Sequence, residues 1–222
     1  MKLICLNLFK WLVSEEPNRI QVEYKLYYHR FSNLIVENEQ DFRSDFLEIT
    51  TALDGISDDD LINDFNHRKE IRSSTKSLSE SINKLLKVRL SEYNWAGESP
   101  IFREEPYTQS NNSAWRLDFA KNKISIEVAF NHGEAIAHNI IKPVLASELN
   151  HVQKNIQTEL GVIITSTELL KNKGGFDGAV GTFEKFISYL KPYSNIVTTP
   201  IVLIGLLPPK SFEIINREVL HY

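Results

Sequence analysis

The stretch Trp115–Phe130, "WRLDFAKNKISIEVAF", decides how the chain is read. Leu117 and Phe119 alternate with Arg116 and Asp118, and Ile124, Ile126, Val128 and Phe130 alternate with Ser125, Glu127 and Ala129. A period of two in both halves, with a polar break between them, predicts a β-hairpin. With Lys121 and Asn122 as the turn, Asp118 pairs across from Ser125 and Glu127 lies diagonally from Asp118 on the same face. Diagonal neighbours stand about 7–8 Å apart at their backbones, so the two side chains can converge. Two carboxylates on one face have two readings. They are the wet side of an exposed hairpin, or they hold a hard divalent cation between them, which removes their mutual repulsion.

Working outward, "GVIITS" at 161–166 and "TPIVLIGLLPP" at 199–209 are short continuous apolar runs, the pattern of strands covered on both faces. "KPVLASELNHVQKNIQ" at 142–157 predicts a helix that Pro143 starts or kinks, with Val144, Leu145, Leu149, Val152 and Ile156 buried. "FEKFISYLKPY" at 183–193 predicts another, and "KNKGGFDGAVGT" at 171–182 a glycine-rich loop. The second half therefore reads β-β-α-β-α-β, a mixed sheet with helices on its faces. Before the hairpin, "SLSESINKLLKVRLSEY" predicts a helix with Ser77 and Glu80 as a capping box and Leu78, Ile82, Leu85, Leu86 and Leu90 as its apolar stripe, ended by "NWAGESP". Further back, alternation at Ile20, Val22, Tyr24, Leu26 and Tyr28 predicts a strand, and Asp41–Phe65 reads as helical with a start signal at Ser57 and "DDD".

Composition narrows the functional classes. The 222 residues carry 42% hydrophobic and 24% charged side chains, ordinary for a globular protein with a sizeable core. The single Cys5 excludes an internal disulfide framework, and no Cys/His cluster suggests zinc. "MKLICLNLFKWLV" reads as a buried first element rather than a targeting peptide, because Lys10 interrupts it. No run reaches the roughly 18 apolar residues of a membrane span, so the expected location is the cytoplasm. The net charge of −4 advertises no nucleic acid, although a local basic surface suffices for binding one. The glycine loop lacks the GK[ST] of a phosphate-binding P-loop. Trp11, Trp95 and Trp115 lie in apolar contexts and read as core.

The segment "LDFAKNKISIEVAF", followed in order by "SELNH", "GVIIT" and "TPIVLIGL" and preceded by the helix running into "YNWAGES", resembles type II restriction endonucleases of the BglII/BstYI kind, within the PD-(D/E)XK nuclease superfamily. The resemblance covers roughly Ser77 to Leu206. It implies an α/β fold with a central mixed β-sheet flanked by helices: a core over 77–207, an N-terminal α+β elaboration over 1–76 and a C-terminal extension over 208–222. It further implies that Asp118, Glu127 and the backbone carbonyl of Val128 bind Mg²⁺. A homodimer would then cut double-stranded DNA at a short palindromic site with a GATC-like centre, alongside a cognate DNA methyltransferase.

One position departs from the pattern. Ala129 stands where the superfamily has Lys and the BglII/BstYI group Gln, and an alanine cannot orient or deprotonate a water. Glu80 on the preceding helix, Lys142 on the following one, and His132 and Glu134 in "NHGEA" are the candidates for help. Each has a plain structural alternative: helix cap for Glu80, solvated loop for His132. In the resemblance the glycine loop lies where DNA-facing loops sit. Lys171, Asn172, Lys173 and Asp177 are thus candidates for phosphate or base contacts, as are Asn150 and His151 on the polar side of the helix. A surface loop and a solvated helix face are the alternatives. Two further functions stay open: a DNA-binding or scaffold protein on the same frame that no longer cuts, and a small-molecule phosphotransfer enzyme using the glycine loop.

Overall fold

A computed structural model describes residues 21–109, 113–149 and 151–222. Its centre is a six-stranded sheet in the order β1 (Tyr24–His29), β6 (Ile201–Leu206), β5 (Leu160–Ser166), β4 (Ile124–Ala129), β3 (Arg116–Lys121) and β2 (Ala96–Pro100). The three middle strands β4, β5 and β6 run parallel; β3 and β2 continue the sheet antiparallel at one side, and β1 closes the other side antiparallel to β6. This is the mixed sheet expected. Every residue of β5 and β6 is buried, as the unbroken apolar runs foretold.

Alternate residues of these strands feed two separate cores. Val162, Ile164, Val202 and Ile204, with Phe119, Ile124 and Ile126, pack beneath α2 (Gln40–Asp54), α3 (Asp58–Ile71) and α4 (Ser79–Glu92). Ile163, Ile201 and Leu203, with Ala129, pack against α5 (Ile136–Ser147) and α7 (Phe183–Leu190) on the opposite face. The crossover from β4 to β5 through α5 brings that helix close to the sheet. A Cβ added at Gly161 of β5 would stand 2.7 Å from Pro143 Cβ, so the glycine makes room for the proline ring.

Several boundaries differ from the sequence expectations. The helical stretch 41–65 is two helices, parted at Gly55; Ser57 caps the second, accepting from the Asp60 N–H while the Asp60 carboxylate accepts from the Ser57 N–H. The capping box expected of Ser77 and Glu80 does not form: α4 begins at Ser79, its N-cap residue is Leu78, and Ser77 Oγ accepts the Ser79 N–H, at 3.5 Å. Pro143 lies inside α5 instead of starting it, and that helix runs from Ile136 only to Ser147. Leu149, expected on its buried face, is 92% exposed. Lys171, Asn172 and Lys173 close a short helix, α6 (Glu168–Lys173), so the glycine-rich loop begins only at Gly174. "AGESP" is the edge strand β2 and not merely a helix stop, and the C-terminal residues form a hairpin, β7 (Phe212–Ile215) and β8 (Glu218–His221). Trp95 is core, as expected, with its indole N–H given to Glu48; Trp115 is partly buried among Phe102 and Tyr107. Ile20, Cys5 and Trp11 lie outside the described residues. Among the described residues no helix is long and apolar enough to cross a membrane.

Candidate active site

The hairpin turns at Asn122 and Lys123, one residue later than expected, because Lys121 pairs with Ile124. Asn122 takes φ 48, a left-handed conformation that asparagine tolerates in tight hairpin turns. Its side chain is pinned from outside by the Asp45 carboxylate of α2. This later turn changes the pairing of the acids. The ladder runs Lys121–Ile124, Ala120–Ser125 and Phe119–Ile126, and the next step sets Asp118 directly across from Glu127, not diagonally. The backbone ladder ends at Phe119, and the Asp118 carboxylate takes over: its Oδ2 accepts the Val128 N–H at 2.6 Å.

Glu127 is only 2% exposed. Its Oε2 is bound by Lys142 Nζ at 2.5 Å, and Lys142 reaches it from the buried side of α5. Its Oε1 is buried and makes no hydrogen bond among the described residues; the Asp118 N–H approaches the carboxylate without meeting hydrogen-bond geometry. Burial first, then the neighbouring Asp118 charge, push the Glu127 carboxyl up to about 8 against the relief from Lys142. Asp118 is also raised, mainly by burial, with the Val128 N–H and Lys142 working in the opposite direction and Glu98 adding to the rise.

Glu98 completes a row of acids across three strands. The β2–β3 register sets it opposite Asp118, and its φ of 50 is a strained value for a residue within a strand. Asp118, Glu98 and Val128 line one cavity of about 170 Å³ together with Gly97, Phe119 and two residues of α4, Asn83 and Lys87. Neither Asn83 nor Lys87 nor Glu98 was singled out from sequence. The signal was present in α4: Glu80, Asn83 and Lys87 recur at helical spacing on the side away from the apolar stripe.

The other anticipated residues sit elsewhere. Glu80 shares the α4 face with Asn83, yet its carboxylate accepts from Arg68 at 3.1 Å and Arg72 at 2.9 Å, which makes it an ion-pair partner of α3. His132 and Glu134 line a second cavity with Ile136, Ala179, Lys185 and Tyr189. Lys171 pairs with Glu168 at 2.5 Å, Lys173 donates to the Tyr222 hydroxyl at 2.9 Å, and Asp177 accepts the Ala179 N–H at 2.8 Å. Asn172 is exposed, as is His151, which follows α5 in irregular structure rather than lying on it; Asn150 lies outside the described residues.

The donor set suits a hard cation better than a soft one. Two neighbouring carboxylates, one with a buried oxygen free of hydrogen bonds among the described residues, supply oxygen ligands; Asp118 and Val128 line the cavity, and Glu127 lies buried behind it. Among the described residues no group of three or more His, Cys, Asp or Glu side chains is arranged to hold a metal, so a cation here would draw its remaining ligands from backbone and water. The pair also lies toward the C-terminal end of β4, where open α/β sheets place their ligands.

Comparison with known proteins agrees with this fold. In solved structures the fold is similar to "restriction endonuclease BglII complexed with DNA 16-mer", with a TM-score of 0.59 and 17% identity over 83% of this chain and 76% of that one. It is similar also to free BglII, with a TM-score of 0.53 and 15% identity over 90% of this chain and all of that one. No curated protein sequence matches the chain. The family model "Restriction endonuclease BglII/BglIII" matches residues 24–206, from the first strand of the central sheet to its last. The chain therefore belongs to the BglII/BglIII restriction endonuclease family.

Proposed function

We propose that the chain is a Mg²⁺-dependent type II endonuclease that hydrolyses phosphodiester bonds of double-stranded DNA at a short palindromic site, acting as a homodimer. The observation that carries this reading is the Asp118–Glu127 pair, directly opposed across the hairpin, with the Glu127 Oε1 buried and unsatisfied among the described residues. When bound, Mg²⁺ supplies charge neutralisation at the phosphate and a more acidic water. Asp118 and Glu127 would hold it, with the Val128 carbonyl as the third protein oxygen. Lys87 and Asn83, exposed on α4 at the mouth of the same cavity, meet the phosphate backbone and set the strand's path. A two-fold assembly follows from a palindromic target, since one protomer then serves each strand. A cognate DNA methyltransferase is the functional partner such an enzyme requires.

A second reading is favoured by Ala129, which offers no polar group beside the acids: a DNA-binding protein of the same fold that does not cut. Incubation of supercoiled plasmid DNA with the protein, with and without Mg²⁺, separates the two. Metal-dependent cutting that disappears in Asp118→Asn establishes the endonuclease; retention of DNA in a gel shift without cutting, in wild type and variant alike, establishes the second reading.

A further inference from the structure

The two oxygens of Glu127 are treated differently, and the endonuclease reading by itself does not explain why. Oε2 is held by the Lys142 ammonium at 2.5 Å, while Oε1 is buried without a hydrogen bond among the described residues. A buried carboxyl oxygen left unsatisfied is costly, and here the group is fixed from its other side. Lys142 does the fixing from a rigid base. Its side chain is 9% exposed, it stands within α5, and the next residue, Pro143, is seated in the space that Gly161 leaves open on β5. Ala129, the next residue on the same face of β4, is 2% exposed and packs with Ile136, Ile140 and Val144, so β4 contributes only a methyl group beside Glu127. The cation near the acids thus comes from the helix and not from the strand.

We infer that Lys142 is the positioning residue of the metal site: by binding Oε2 it aims Oε1 of Glu127 at the cation and fills the cationic place that Ala129 leaves empty. This rests on the endonuclease reading. It acts through Glu127, so its effect vanishes when Glu127 can no longer ligate.

Mn²⁺ titrated into the purified full-length protein, followed by calorimetry or by the electron spin resonance signal of free Mn²⁺, tests it. Lys142→Met, which keeps the length of the buried stem, is expected to weaken Mn²⁺ binding by about 10–100-fold, the usual loss on removing a group that orients a metal ligand. Its melting temperature without metal is expected to fall, because removing one partner of a buried pair leaves Glu127 without its cation, so the Mn²⁺ titration is read below that melting temperature. In a Glu127→Gln background the same change is expected to add nothing, whereas a merely structural lysine would have equal effects in both backgrounds. Where Lys142→Met fails to fold, Lys142→Arg carries the same comparison, since it keeps the charge but moves the donor. Unchanged Mn²⁺ affinity in a variant whose parent still cuts DNA overturns this inference alone. A wild-type protein that binds no Mn²⁺ and cuts no DNA overturns the endonuclease reading, and the inference with it.

Discussion

Glu127 concentrates the chemistry of the molecule in one side chain, and its burial has a sign that can be measured. Burial pushes its carboxyl up to about 8 in the folded protein, against 4.5 for an ordinary glutamate. The native state therefore holds a proton that the unfolded chain has lost between those values, and stability falls as pH rises through that window. The metal-free protein is expected to melt at progressively lower temperature from about pH 5 to pH 9, and Glu127→Gln is expected to flatten that slope, as scanning calorimetry across buffers would show. Mg²⁺ added at the alkaline end is expected to recover the lost stability, by about 2.7 kcal/mol at a hundredfold excess over its Kd. Alternation alone revealed that residues 118 and 127 share a face. It could not reveal their register, because a turn shifted by one residue moves every partner, and here the shift made the acids direct neighbours. The partner of Glu127 was harder still: Lys142 meets it through a helix whose bounds Pro143 obscured.

At the scale of elements, strands with strong apolar signatures were legible and short polar ones were not. β5 and β6 announced themselves by uninterrupted apolar residues, and the site hairpin by its period of two. β2, with the sequence Ala-Gly-Glu-Ser-Pro, carries no strand propensity and exists because β3 offers it an edge. The first helix after β1, α1 (Ser32–Asn38), is too short for its periodicity to speak. The cap expected of Ser77 and Glu80 fails for a related reason: a Ser-x-x-Glu spacing occurs there by chance, while Glu80 is bound by Arg68 of α3 and by Arg72 just after it. The contact between α5 and β5 is the element-level feature with the clearest mutational consequence. Gly161→Ala is expected to destabilise the fold by about 1–3 kcal/mol in urea denaturation, since the new methyl group overlaps the Pro143 ring. Because α5 also carries Lys142, the same variant is expected to lose Mn²⁺ affinity, although residue 161 touches neither acid.

For the molecule as a whole, a net charge of −4 means that any grip on DNA must be local. Lys87, exposed on α4 and lining the acid-lined cavity, is the cation the proposed function assigns to that task. Lys87→Ala is expected to weaken binding of duplex DNA uniformly across sequences and to reduce the salt dependence of log K by about 1, as fluorescence anisotropy at several salt concentrations would show. Light scattering on the same samples is expected to report a dimer on DNA. The pairing of the basic residues was poorly legible: Lys171 and Lys173, candidates in the glycine-rich stretch, meet Glu168 and Tyr222 in the fold. Asp118 has one more consequence. Its carboxylate closes the end of a β-ladder as well as facing the cavity, so alanine at this position strands the Val128 amide, whereas asparagine keeps an oxygen for it. A lineage that abandons cutting is thus expected to drift from aspartate to asparagine at 118, a single-nucleotide step that silences the chemistry and spares the architecture.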